Sequence, residues 1–309
     1  MIGSKIIGKY RNGNYNCIIC SDGTKIRYND AEYFAPEFPE SMDVKISNKC
    51  NGVVDKNGIP HPCEFCHEMS HPNGELANLN HPIFDSLHPY TEIALGGGSV
   101  LEHPDLVSFL ERMRERHVIC NMTLHLSHFE QAAAKVKLWH DNGLIHGVGI
   151  SVNTIPTDYQ LMLLRSNPNF VVHVIAGVVP IEAMQKMYDC GLKVLILGYK
   201  NYGRGEHYLE LYPDTMAKVA KFEALIPEFK EHFKLLSFDN LALSQLHVKE
   251  YVSEEEWNTS YMGEDGQFTM YLDMCKEQYA KSSTSVRKLI FSNNIRDLFS
   301  EVRKESGYM

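Results

Sequence analysis

Short apolar runs recur along the middle of this chain, each followed by an amphipathic stretch, and that alternation restricts the fold to a parallel sheet built from βα units. The runs lie at residues 43–46, 92–95, 118–124, 147–152, 170–176 and 194–197. Beyond residue 92 they are spaced by about 25 residues, which is room for right-handed helical crossovers. Apolar residues at helical spacing predict helices over 104–116 and 129–140, the second opened by a capping box of Ser127 and Glu130. Pro180 and Gly191 bracket another helix, with proline at its start and glycine just past its end. The pattern predicts the α/β class and a partial (β/α)6 barrel of the TIM type.

At 309 residues and 44% hydrophobic composition, one large core is expected. Three parts are predicted. Residues 1–40 carry two hairpin signals, Asn12-Gly13 and Asp22-Gly23, and read as a β-meander closed by the Pro-rich stretch 35–39. Residues 41–205 form the barrel. Residues 206–309 form a less regular α+β extension capping it, with a helix at 213–225, a seventh strand at 234–238 and an acidic, aromatic segment over 251–274.

Thirty basic residues against 39 acidic ones give a formal charge of −9. That balance repels nucleic-acid backbones and anionic lipid surfaces, so neither polymeric nucleic acid nor a membrane is expected as a partner. With no apolar leader and no run of about 20 apolar residues, a cytoplasmic location is expected. In that reducing compartment, a close group among eight cysteines reads as metal-binding rather than as a disulfide framework.

Such a group is present. Twelve residues separate Cys50 from Cys63, and two separate Cys63 from Cys66. A Cys-x-x-Cys turn brings two thiolates to one centre, and the Gly- and Pro-containing loop before it can deliver a third. Three thiolates on a four-iron cubane leave one iron open to chelate the amino and carboxylate groups of S-adenosylmethionine. Cys50 follows the first strand, at the end where barrel active sites are built. The competing reading is a non-catalytic barrel acting as a binding module, with a structural Cys3His zinc site completed by His61 or His67. Residues Gly96, Gly97 and Gly98 end the second strand. They let a ligand approach the backbone, or they serve a tight turn needing positive φ.

Taken together, the three-cysteine loop, the glycine run followed by Leu101-Glu102-His103-Pro104-Asp105, and the βα units resemble the radical S-adenosylmethionine superfamily over residues 43–205. The strings His-Pro-Tyr-Thr-Glu-Ile-Ala-Leu-Gly-Gly-Gly at 88–98, Lys-Val-Leu-Ile-Leu-Gly-Tyr-Lys-Asn-Tyr-Gly-Arg-Gly at 193–205 and Gly-Gln-Phe-Thr-Met-Tyr-Leu-Asp at 266–273 look like those of a phage-type group within it. The resemblance implies an enzyme that reductively cleaves S-adenosylmethionine at a 4Fe-4S cluster. The resulting 5′-deoxyadenosyl radical takes hydrogen from a small-molecule, nucleotide or peptide substrate. It implies that Cys50, Cys63 and Cys66 ligate the cluster, that Phe65 packs near the adenine, that Gly96, Gly97 and Gly98 meet the methionyl amine, and that Ser151 and Asn153 contact ribose or carboxylate. An electron donor such as flavodoxin or ferredoxin is implied as well. The family usually places three residues between the first two cysteines, so the twelve here mark an insertion.

Lys200 and Arg204, in the glycine-bounded loop after the sixth strand, are candidate substrate-binding residues, Arg204 through a bidentate grip on a carboxylate or phosphate. His125, just beyond the third strand, could face the cofactor. Cys17 and Cys20 form a second Cys-x-x-Cys, but residues three apart in a strand point to opposite faces, so they read as structural thiols. An auxiliary cluster is not expected, because only Cys275 follows Cys190.

Overall fold

The computed structural model describes residues 4–54 and 59–308. Residues 55–58, in the middle of the long cysteine loop, lie outside the described residues. At the N-terminus, β1 (Ile6–Asn12), β2 (Tyr15–Cys20) and β3 (Lys25–Tyr28) form an antiparallel meander. Both expected turns fall where glycine adopts positive φ, at Gly13 and Gly23. Cys17 is buried while Cys20 lies half-buried on the opposite face, as strand alternation requires. A small core of Tyr10, Tyr15, Cys17, Ile19, Phe38 and Phe268 supports the meander. At its centre the fully buried Glu40 accepts from Arg27 Nε at 2.8 Å and from the Tyr15 hydroxyl at 2.5 Å.

The main sheet begins with β4 (Ser41–Ser47). A two-residue pair, β5 (Val53–Val54) and β6 (Pro60–His61), lies within the cysteine loop. Then follow β7 (Glu92–Gly97), α1 (Leu106–Glu115), β8 (Ile119–His125), α2 (Leu126–Asp141), β9 (Gly147–Ser151), α3 (Asp158–Leu164), β10 (Phe170–Ile175), α4 (Ile181–Lys186) and β11 (Lys193–Leu197). Three helices, α5 (Arg204–Leu211), α6 (Thr215–Ala224) and α7 (Ile226–His232), lead to β12 (Leu235–Phe238). Pro227 in the first turn of α7 restarts the helix where α6 stops at Leu225. The chain ends through α8 (Asn240–Gln245), α9 (Glu254–Ser260), β13 (Thr269–Asp273), β14 (Gln278–Ala280), β15 (Lys288–Leu289) and α10 (Ile295–Glu305).

This is a mixed α/β fold with a large, mainly parallel sheet. The strand order is β12-β11-β10-β9-β8-β7-β4-β13-β14-β15. All six predicted strands are present, and the seventh, β12, pairs in parallel with β11. The C-terminal segment also joins this sheet: β13 lies parallel to β4, and β14 and β15 continue the edge antiparallel. One correction concerns α2, which begins three residues before the predicted start. His125 is its N-cap, accepting from the Ser127 N–H at 3.2 Å, and Glu130 instead accepts from Gln160 Nε2 at 2.8 Å. The predicted Ser127–Glu130 capping box therefore does not form.

Alternation along the parallel strands separates two faces. Val44, Ile46, Ile93, Leu95, Met122, Leu124, Ile150, Val172, Val174, Val194 and Ile196 are buried in the main apolar core, and each such side chain contributes roughly 1.5–3 kcal/mol when fully buried. Asp43, Ala94, Thr123, Ser151, His173 and Leu195 line an interior cavity on the other face. Among the described residues no helix is long and apolar enough to cross a membrane.

Candidate functional site

The interior cavity, about 570 Å³, is walled by β4 and β7 to β11, by residues following them, and by Asp239 and Tyr271. It collects every residue the sequence singles out for cluster, cofactor or substrate: Cys50, Cys63, Phe65, Cys66, Gly96, Gly97, Gly98, Ser151, Asn153, Lys200 and Arg204. Parallel strands point their carboxyl ends and following loops to one side, and this convergence is the usual place for a ligand in such a sheet.

The cysteine loop leaves β4 under backbone control. The Cys50 N–H donates to the His71 carbonyl at 3.0 Å, and the Cys66 N–H donates to the Cys63 carbonyl at 3.2 Å, closing the Cys-x-x-Cys turn. All three thiols are unpaired and half-buried. Burial pushes the Cys63 thiol up to about 12, with the neighbouring Cys66 and Cys50 acting in the same direction and Arg204 opposing them. Burial likewise raises Cys50. All three residues border the same cavity. Among the described residues, however, no three His, Cys, Asp or Glu side chains close on a point where one ion could sit. Three thiolates bordering one cavity are the kind of donor set an iron–sulfur cluster takes.

The sequence leaves two readings of the glycine run, ligand approach and a tight turn, and the backbone distinguishes its positions. Gly97 has φ of +107°, and a Cβ there would stand 2.2 Å from the Ser47 carbonyl oxygen. A Cβ on Gly98 would stand 2.2 Å from the Lys49 carbonyl oxygen. These glycines let the end of β7 lie against the start of the cysteine loop, where Gly98 N–H donates to Ser47 at 2.6 Å and Ser99 N–H to Lys49 at 2.7 Å. Gly96 differs. A Cβ there would meet nothing within 4 Å, so this position opens onto the cavity. Asn153 also lines the cavity, and its Oδ1 is buried with no hydrogen-bond partner among the described residues. Phe65 stands edge-on to Tyr208 at 5.9 Å.

A buried charge network, absent from the sequence reading, borders the site. Lys45 Nζ donates to Glu68 at 2.5 Å and lies 3.5 Å from Asp273. Arg287 pairs with Asp273 at 2.5 Å and with Glu68 at 3.3 Å, and the Tyr271 hydroxyl donates to Glu68 at 3.1 Å. Burial alone would raise the Glu68 carboxyl, but His67 and Lys45 hold it well below the usual carboxylate range. Burial, with Lys200 nearby, lowers His67 to about 4. The His67 Nε2 is 3.4 Å from Glu68 and 3.4 Å from Lys200 Nζ, which also donates to Ser283 Oγ at 2.8 Å. The one local signal for this network is a lysine inside an apolar strand, Lys45 in β4. His125 does reach the cavity wall while capping α2, and His173, which the sequence did not flag, faces the interior, lowered to about 4 by burial.

No protein-family model and no curated protein matches the chain. Among solved structures, the fold is similar to that of SuiB from Streptococcus suis. With SuiB bound to S-adenosylmethionine the TM-score is 0.58 at 10% identity, over 94% of this chain and 86% of that one. With SuiB bound to the precursor peptide SuiA it is 0.55 at 8% identity, over 96% of this chain and 88% of that one. At such identities the likeness is one of fold.

Proposed function

We propose that this protein is a radical S-adenosylmethionine enzyme of the phage-type group. The observation that carries this reading is convergence: the three cysteines, the open Gly96 and the unpartnered Asn153 Oδ1 line one cavity at the carboxyl ends of parallel strands. A fold shared with a protein that binds S-adenosylmethionine supports it.

Cys50, Cys63 and Cys66 would hold a 4Fe-4S cluster. Gly96, backed by Gly97 and Gly98, would leave room for the methionyl part of the cofactor, Asn153 Oδ1 would accept from a ribose hydroxyl, Ser151 would contact ribose or donate to the carboxylate, and Phe65 would flank its adenine. When bound, cluster and cofactor supply a 5′-deoxyadenosyl radical that abstracts hydrogen from substrate, the protein's part being binding and orientation. Lys200 faces the rest of the cavity with a charge that no carboxylate within ion-pair distance neutralises among the described residues, and it would hold an anionic group of the substrate. A peptide is the favoured substrate, since the fold is shared with a protein that binds a precursor peptide. The sheet would act as a partial (β/α)6 barrel over residues 41–205, with the meander and the C-terminal extension as flanking parts. A reducing cytoplasm and a donor such as flavodoxin or ferredoxin suit such a centre.

The zinc alternative would have to draw its fourth ligand from His61, since the His67 ring already faces Glu68 and Lys200. Anaerobic reconstitution with iron and sulfide tests the choice. A brown protein that releases 5′-deoxyadenosine when reduced with S-adenosylmethionine supports the enzyme, and a colourless zinc protein excludes it.

A further inference from the structure

Two guanidinium nitrogens of Arg204 are spent on the cysteine loop. Nε donates to the Cys63 carbonyl oxygen at 2.9 Å and Nη2 to the Ser70 carbonyl oxygen at 2.9 Å. The Arg204 N–H donates to the Cys66 carbonyl at 3.3 Å. These acceptors lie at the start, middle and end of the segment that carries Cys63 and Cys66, so one residue fixes its path. The backbone comes close as well. Gly203, at φ of +60°, has no room for a Cβ, which would stand 2.4 Å from the His67 carbonyl oxygen. This use of the guanidinium differs from the carboxylate grip that its place after the sixth strand suggests. The guanidinium thus sits directly against the backbone of Cys63.

Resting on the cluster reading above, we propose that Arg204 is a positioning residue of the metal centre. Its fork holds the Cys63–Cys66 turn in place, and its permanent charge raises the midpoint potential of the cluster. The sign follows from charge: one-electron reduction makes the centre more negative, and a fixed cation stabilises the more negative form. Lysine would keep the charge without the planar fork.

The test compares wild-type protein with the Arg204→Gln and Arg204→Lys variants, reconstituted anaerobically with iron and sulfide. Circular dichroism checks folding, iron and sulfide analysis counts clusters, and EPR-monitored redox titration gives the midpoint. Arg204→Gln is expected to lower both cluster content and midpoint. Arg204→Lys is expected to bring the midpoint back toward wild type while cluster content stays low. A folded Arg204→Gln protein with wild-type content and midpoint overturns the proposal. If Arg204→Gln takes up no cluster, Arg204→Lys decides, because full content in that variant would refute the positioning role. A wild-type protein that binds no cluster would instead refute the enzyme reading on which this rests.

Discussion

Glu68, two residues beyond the last cysteine of the loop, accepts a 2.5 Å hydrogen bond from Lys45 of β4, and both side chains are more than nine-tenths buried. The pair ties the cysteine loop to the first strand of the sheet, and Arg287 and Asp273 tie both to the C-terminal strands. Removing one partner of a buried charge network leaves the others uncompensated, at a cost of about 3–5 kcal/mol. Lys45→Met should therefore lower the unfolding free energy of the cluster-free protein by about that amount in a urea titration. Loss of under 1 kcal/mol would show that Arg287 alone satisfies the carboxylates.

His173 supplies a pH dependence. Its folded pKa, about 4, lies below the ordinary histidine value of 6.5 because burial penalises the cation. The unfolded chain thus takes up a proton first as pH falls, so stability is full above pH 6.5 and declines from there toward pH 4. The shift corresponds to roughly 3 kcal/mol. Urea midpoints of wild type should fall between pH 7 and pH 5 more steeply than those of His173→Asn. Equal slopes would contradict the assignment.

Neighbouring glycines separate folding from binding. Gly97→Ala forces a side chain into positive φ and against the Ser47 carbonyl, which should cost about 1–3 kcal/mol or more in a thermal melt. Gly96→Ala meets no protein atom, so its melting temperature should match wild type while its affinity for S-adenosylmethionine, measured by calorimetry on the cluster-loaded protein, falls at least tenfold. Unchanged affinity would remove Gly96 from the cofactor site.

Asn153 offers the complementary case. Its Oδ1 is a buried acceptor without a donor, and such a group costs about 1–3 kcal/mol. Asn153→Ala should leave the unliganded protein as stable as wild type or more so, yet weaken cofactor binding. A destabilised variant with full affinity would make Asn153 a structural residue.

Much of this was legible before the structure. Parallel strands announce themselves because one face must be apolar, and Cys50, Cys63, Cys66 and the glycine run are local signals that the fold brings to one cavity. Cys17 and Cys20 were legible for the same reason, since strand alternation separates them. What stayed hidden depends on contacts between distant segments. Lys45, Glu68, Asp273 and Arg287 meet only because β13 pairs with β4 across more than two hundred residues, and nothing near residues 269–273 advertises that partner. The start of α2 was misplaced because a histidine, an uncommon cap, outcompeted the serine two residues later.

The central claim is an open iron on a cluster held by three thiolates. The most direct measurement is the EPR spectrum of the reduced, reconstituted wild-type protein before and after S-adenosylmethionine is added. The expected result is a 4Fe-4S signal whose g-values move when the cofactor binds. A signal that the cofactor leaves unmoved, or a protein holding zinc and no cluster signal, would contradict it.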